Sequence, residues 1–245
     1  MRRGTDRALL MRILPRPVVR NRDRRVLLAF LVLALLLIGV GNLASEVVEG
    51  DTLAFDRWII SSLRDPVNPG TPLGPAWFTK AMVDLTALGG GPFLTLITLA
   101  TAGFLVAARK WGMAAFVVVA IAGGGLVANL LKWVFVRARP DLVPHLVSVD
   151  SASFPSAHAM NSAVTFLTLG VLLSRTQRDR RLKAYLIGTA IFLTLIVGFS
   201  RVYLGVHWPT DVVAGWSVGA AWAILCSLVA ASLQRRHRIE REEDG

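Results

Sequence analysis

Cysteine is almost missing from this chain: Cys226 is the only one in 245 residues. That excludes a disulfide framework and any cysteine-built metal site. Cys226 itself lies inside an apolar run, where a free thiol serves as a small core residue. Acids are scarce too, 16 against 27 lysines and arginines, which leaves a net charge of +11. Charged residues of both signs make up only 18% of the chain, hydrophobic ones 54%, and the mean hydropathy is +0.56. This composition excludes an ordinary soluble domain and indicates an integral membrane protein. The basic excess does not point to nucleic acid, because the cations cluster in the segments between apolar runs. Internal repeats, low-complexity blocks and domain linkers are also lacking, so one membrane domain is expected.

What is present is a series of six apolar runs, at 26–44, 92–108, 113–131, 159–174, 184–199 and 212–232. Read as membrane-spanning helices, they make an all-α, six-helix membrane domain over 26–233, flanked by a basic tail, 1–25, and a mixed-charge tail, 234–245. Between the first two runs lies a turn-rich segment with Pro66, Pro69, Pro72 and Pro75. Its amphipathic patch at 53–60 reads either as a helix in the membrane interface, with Trp58 at headgroup level, or as a loop helix packed on the bundle. Gly89, Gly90 and Gly91 end that segment, and Gly123–Gly125 in the third run would let helices approach closely.

Orientation follows from the cations. If the N-terminus is cytoplasmic, segments 1–25, 109–110, 175–183 and 234–245 are all cytoplasmic, and they hold 20 of the 27 lysines and arginines. The bias of positive charge toward the cytoplasm therefore places both termini inside. Three polar clusters at the other helix ends then share the extracytoplasmic side.

The first cluster is Lys132 and Arg139, seven residues apart, on one face if the third helix continues two turns beyond its apolar run. Arg137 would point elsewhere and anchor at the interface; snorkelling anchors are also the simpler reading of Lys132 and Arg139. The second is Pro155, Ser156, Ala157 and His158, where Ser156 would cap a helix whose free N–H groups form a ready anion site. The third is residues 200–211, with Arg201, His207 and Asp211 at the membrane boundary, where each charge costs about 2.5–3.5 kcal/mol to insert. Four residues separate His207 from Asp211, so they meet if a helix starts near Trp208, and the carboxylate would fix the imidazole tautomer. Arg201 can fork onto two oxygens of one phosphate. Tyr203 and Trp208 read as interfacial aromatics. A zinc site from His158, His207 and Asp211 is the chemical rival, but three neighbouring cations oppose a dication and welcome an anion. Phosphoryl transfer needs charge stabilisation, an in-line nucleophile and a proton donor, and this set contains all of them without a metal.

In order and spacing the clusters resemble the signature of the type 2 phosphatidic acid phosphatase (PAP2) superfamily, membrane lipid phosphate phosphatases related to vanadium haloperoxidases. The pattern K-x6-R-P is matched by Lys132 to Arg139-Pro140. P-S-G-H is matched by Pro155-Ser156-Ala157-His158, with alanine in place of the usual glycine. S-R-x5-H-x3-D is matched by Ser200-Arg201, His207 and Asp211. The resemblance implies His207 as nucleophile, Asp211 orienting it and His158 as proton donor and then base. Lys132, Arg139, Ser156, Ala157 and Arg201 would hold the phosphate. It further implies a lipid phosphate or diphosphate as substrate (undecaprenyl diphosphate, phosphatidylglycerol phosphate or phosphatidic acid type), membrane lipids as surroundings, and no metal, cofactor, nucleic acid or obligate protein partner. An outward-facing site slightly favours a polyprenyl diphosphate. The alternatives are a phosphotransferase using the same phosphohistidine, and a non-catalytic anion-binding or transport protein.

Overall fold

The computed structural model describes residues 21–236 and 239. Among them are eight helices: α1 (Asn21–Glu49), α2 (Leu53–Ser62), α3 (Ala76–Ala87), α4 (Gly91–Ala107), α5 (Trp111–Val134), α6 (Ala157–Thr176), α7 (Arg180–Tyr203) and α8 (Pro209–Arg235). The only strand-like pairing among them is an isolated bridge between Arg64 and Pro72. The all-α bundle expected from the sequence is what the chain forms. The tail at 1–25 lies outside the described residues except for the start of α1, and the tail at 234–245 does so beyond the end of α8 and residues 236 and 239.

Five helices, α1 from Val26 together with α5, α6, α7 and α8, are long and apolar enough to cross a bilayer; α3 and α4 make a sixth crossing when taken as one bent pair. The bend is 50° and falls on residues 88–90. At the bend a Cβ on Gly89 would stand 2.4 Å from Val197 Cγ1 on α7, so the chain passes there with no side chain. The segment of the second apolar run is thus a bent helix pair, where the sequence pattern suggested a simple helix beginning at the glycines.

The bundle is built around α6. Of its apolar window 56% is buried, against none of that of α1, and α6 packs on both α7 and α8. Contact between α6 and α8 is close because α8 carries Gly215 and Gly219 one turn apart. A Cβ at Gly215 would stand 2.7 Å from Ser156 O, and one at Gly219 would stand 2.6 Å from Ala163 Cβ. Small residues of this kind let backbones meet inside a membrane, where dispersion rather than hydrophobic exclusion holds helices together. The glycines at 123 and 124 work likewise, facing Trp222 and Val164, while Gly125 faces open space.

The amphipathic patch forms α2. It packs on the bundle through Asp56 and Ile60, as the loop-helix reading expects, while Leu53, Phe55 and Trp58 remain exposed on its outer face. Tyr203 and Trp208, in contrast, are not interfacial. Both are buried: the Tyr203 hydroxyl donates to Leu73 O at 3.0 Å, and Trp208 Nε1 donates to Ala138 O at 2.9 Å. They brace the two long loops against the bundle.

Candidate active site

Consecutive antiparallel crossings bring the C-terminal ends of α5 and α7 beside the N-terminal ends of α6 and α8. All three polar clusters therefore meet at one end of the bundle. Pro209 opens α8, and its fixed φ and missing N–H suit that position. Trp208 N donates to Asp211 Oδ2 at 2.9 Å, so the aspartate caps its own helix and is held in place.

His207 is buried, with Nδ1 3.4 Å from Asp211 Oδ2 and equally far from Ser153 Oγ. On the opposite edge of the ring, Nε2 lies 3.3 Å from Arg139 Nη1. A guanidinium nitrogen can only donate, which matches a tautomer carrying its proton on Nδ1 toward Asp211 and a lone pair on Nε2. Burial pushes the imidazole down to about 4, with Asp211 pulling the other way. At neutral pH the ring is therefore uncharged.

Arg139 flanks that lone pair, and two further cations lie at the same end of the bundle. Arg139 is fixed by Nε donating to Ser151 O at 2.8 Å and Nη1 donating to Val206 O at 2.6 Å. Lys132 donates to Ala152 O. Arg201 is buried; Nη1 donates to Thr86 Oγ1 at 3.1 Å, and Nε has no partner. Lys132, Arg139, Arg201 and His207 all lie within electrostatic reach of His158. Ser156 caps α6, its Oγ accepting from Ala159 N at 3.5 Å, and its own N–H donates to Asp211 O at 3.0 Å. The N–H groups of Ala157 and His158, in the first turn, have no acceptor within the helix. Ala157 is helical and needs no glycine; among the described non-glycine residues only Arg109 has positive φ. All eight residues singled out from the sequence thus belong to one end of the bundle. Among the described residues no three His, Cys, Asp or Glu side chains are placed to hold a metal ion.

Two sequence expectations are corrected. The helix carrying Lys132 does not continue to Arg139: α5 stops at Val134, and Arg137 O accepts from Ser153 N at 2.9 Å. Arg139 reaches the site from this non-helical strap, not from a shared helix face. Nor is Arg137 a surface anchor. Its Nη1 donates to Asp211 Oδ1 at 2.6 Å and Thr210 Oγ1 at 2.8 Å, while Nη2 donates to Asp56 Oδ2 at 2.7 Å. The guanidinium also stacks 5.5 Å from the Trp208 ring centroid. Asp56 itself accepts from Thr210 N at 3.0 Å and Thr210 Oγ1 at 2.7 Å. Asp56, Arg137, Ser153 and Thr210 were not recognised from sequence. The one available signal was Asp56, an acid on the otherwise apolar side of an amphipathic helix.

The PAP2 superfamily pattern matches residues 111–235, just over half the chain and the whole stretch from the start of α5 to the end of α8. Phosphatidylglycerophosphatase B of Bacillus subtilis is 35% identical over 148 residues, covering 58% of this chain and 70% of that protein. Decaprenylphosphoryl-5-phosphoribose phosphatase of Mycobacterium tuberculosis is 32% identical over 136 residues, covering 53% of this chain and 67% of the relative. The crystal structure of a transmembrane PAP2 type phosphatidylglycerolphosphate phosphatase from Bacillus subtilis superposes with a TM-score of 0.72 at 27% identity, over 83% of this chain and 98% of that one. With the superfamily pattern spanning every helix end that carries the polar cluster, this chain belongs to the PAP2 superfamily.

Proposed function

We propose that this chain is a multi-pass membrane phosphatase that hydrolyses a lipid phosphate or diphosphate through a phosphohistidine, without a metal, at the extracytoplasmic face. One observation carries the reading. The Nε2 edge of a neutral, Asp211-tethered His207 faces Arg139, with Lys132 and Arg201 at the same bundle end. A phosphoryl group seated there would exchange its water shell for fixed donors: three cations, the Ser156 hydroxyl and the first N–H groups of α6.

In the first step His207 Nε2 attacks phosphorus in line, and the bond from phosphorus to the lipid oxygen breaks. His158 gives its proton to that leaving oxygen. In the second step His158 takes a proton from water, whose oxygen attacks phosphorus. The P–N bond then breaks, inorganic phosphate leaves and both histidines are restored. Asp211 holds the Nδ1 proton and stabilises the positive ring throughout.

Purified full-length chain in detergent should release inorganic phosphate from a panel of prenyl, acylglycerol and lysophospholipid phosphates, undiminished by excess EDTA. No free phosphate from any of them rules out hydrolysis; loss in EDTA with rescue by zinc rules out the metal-free mechanism.

The face of the membrane is tested separately, in a Cys226→Ala background. With Ser151→Cys or Arg178→Cys, an impermeant thiol reagent added to intact cells should label position 151 and spare 178. Both are exposed positions. The reverse pattern would place the active site inside.

A further inference from the structure

Below His158, the buried α6 face turned toward α4 and α5 carries a polar stripe inside an otherwise apolar bundle. Asn161, Thr165 and Thr168 recur at helical spacing, and Asn161 Oδ1, Thr165 Oγ1 and Thr168 Oγ1 are all buried with no hydrogen-bond partner. Elsewhere in the bundle threonine hydroxyls turn back onto the carbonyl four residues earlier: Thr98 onto Leu94 O at 2.6 Å, Thr101 onto Ile97 O at 2.8 Å, Thr194 onto Ala190 O at 2.9 Å. Thr165 is fully buried and does not do so. Polar atoms left without partners in hydrocarbon are costly, so these are placed to receive one.

Their surroundings show from where. Asn161 and Thr165 form part of a groove of about 310 Å³ between α4, α5 and α6, which Gly91, Thr98, Ile121 and Gly125 also line. Its upper end, at Gly91, adjoins the helix break: a Cβ on neighbouring Gly90 would stand 3.9 Å from His158 Nε2. Exposed Leu99 and Val118 flank its lipid side. At about 1.5 Å per residue, Asn161 lies about 4.5 Å and Thr165 about 10.5 Å below His158 along the helix axis.

We infer that Asn161 and Thr165 are specificity-determining residues, a polar subsite that selects lipids whose phosphate is followed within a few bonds by an ester or amide carbonyl, over prenyl phosphates. The inference rests on the phosphatase reading and deepens it. In an acylglycerol phosphate the ester carbonyls follow directly on the phosphate, at the depth of this stripe. A prenyl chain carries no oxygen beyond its phosphate ester and would leave both side chains unpaired. The Thr165 hydroxyl donates to such a carbonyl, and the Asn161 amide NH2 donates to a second, its Oδ1 remaining an acceptor for a donor in the headgroup. A site that must hydrogen-bond its ligand discriminates against an analogue that cannot. This reverses the slight preference for a polyprenyl substrate drawn from the location of the site.

The test compares kcat/KM of the purified full chain on three phosphates of matched length: diacylglycerol phosphate, its dialkyl ether analogue and a prenyl phosphate. The ether keeps the glycerol and loses only the carbonyls. Wild type should prefer ester to ether by about three- to tenfold, the worth of one or two neutral hydrogen bonds. Thr165→Val, which keeps the shape and removes the hydroxyl, should lower the ester-to-ether ratio about threefold, the worth of one neutral hydrogen bond, and Thr165→Ser should restore it. Asn161→Leu should lower the ester-to-prenyl ratio. An equal wild-type rate on ester and ether overturns the inference even if the variants fail to fold. So does a Thr165→Val change that scales all three substrates alike. Wild type that releases no phosphate from any of the three overturns this inference, and if a prenyl diphosphate also yields none, the phosphatase reading falls with it.

Discussion

His207→Ala should abolish phosphate release, lowering kcat by at least about 10⁴-fold, the scale seen when a nucleophile is removed from an otherwise intact site. Lipid phosphate should still bind, because Lys132, Arg139, Arg201 and the α6 N-terminus are untouched. His158→Asn separates the two half-reactions. An aryl phosphate with an acidic leaving group needs no proton in the first step, so this variant should still be phosphorylated by it. The second step then lacks its base, and phosphoenzyme should accumulate. A P–N bond to imidazole is labile in acid and stable in base, opposite to a serine ester. Acid-labile label that vanishes when His207→Ala is combined with His158→Asn confirms the assignment. Acid-stable label would move the nucleophile to a hydroxyl, with Ser153, 3.4 Å from the ring, the first to examine. A His207→Ala protein that keeps its function in cells would favour non-catalytic anion binding or transport.

The parts of this site that the sequence revealed are those with local grammar. Pro209, His207 and Asp211 are neighbours on the chain, so their meeting follows from helix geometry alone, and the structure has them in contact. Ser156 likewise sits one residue before the helix it caps. Helix ends flanking apolar runs are also easy to see, because charge stops where hydrocarbon begins. What stayed hidden depends on contacts between distant segments. The end of α5 at Val134 is set by pairing of the following strap with Ser153, and nothing in the run from Lys132 to Pro140 announces it. Asp56 and Arg137 are 81 residues apart; each alone resembles an interfacial charge, and only the fold makes them a pair. The bend between α3 and α4 escaped notice because Gly89 is required by Val197 on α7, a neighbour that spacing cannot supply.

Replacing Arg137 should have the second-largest effect, although Arg137 is not expected to touch substrate. Its guanidinium joins two fully buried carboxylates, Asp56 and Asp211, at 2.7 and 2.6 Å. Arg137→Met leaves both charges buried without their cation, and breaking a buried ion network in this way costs about 3–5 kcal/mol of stability. Arg137→Lys keeps the charge but not the planar fork, so it cannot span both partners; Asp56→Asn keeps the shape and cancels the charge on α2. In both of these milder variants kcat should fall about 10²-fold, the price of losing the set of Asp211 against His207, while KM changes little. The pH profile distinguishes positioning from mere scaffolding. In wild type His207 takes its proton only near pH 4, and protonation removes the attacking lone pair, so activity should persist well below the usual histidine range. In Arg137→Met protein that remains folded, Asp211 loses the cation bonded to its Oδ1. Its full negative charge then favours imidazolium, and the acid limb should move up toward neutral pH. A lower Tm with an unmoved acid limb and unchanged kcat would reduce Arg137 to a structural tie. A limb that rises with falling kcat makes it the residue through which α2, with Phe55 and Trp58 on its exposed face, holds the nucleophile's partner in place.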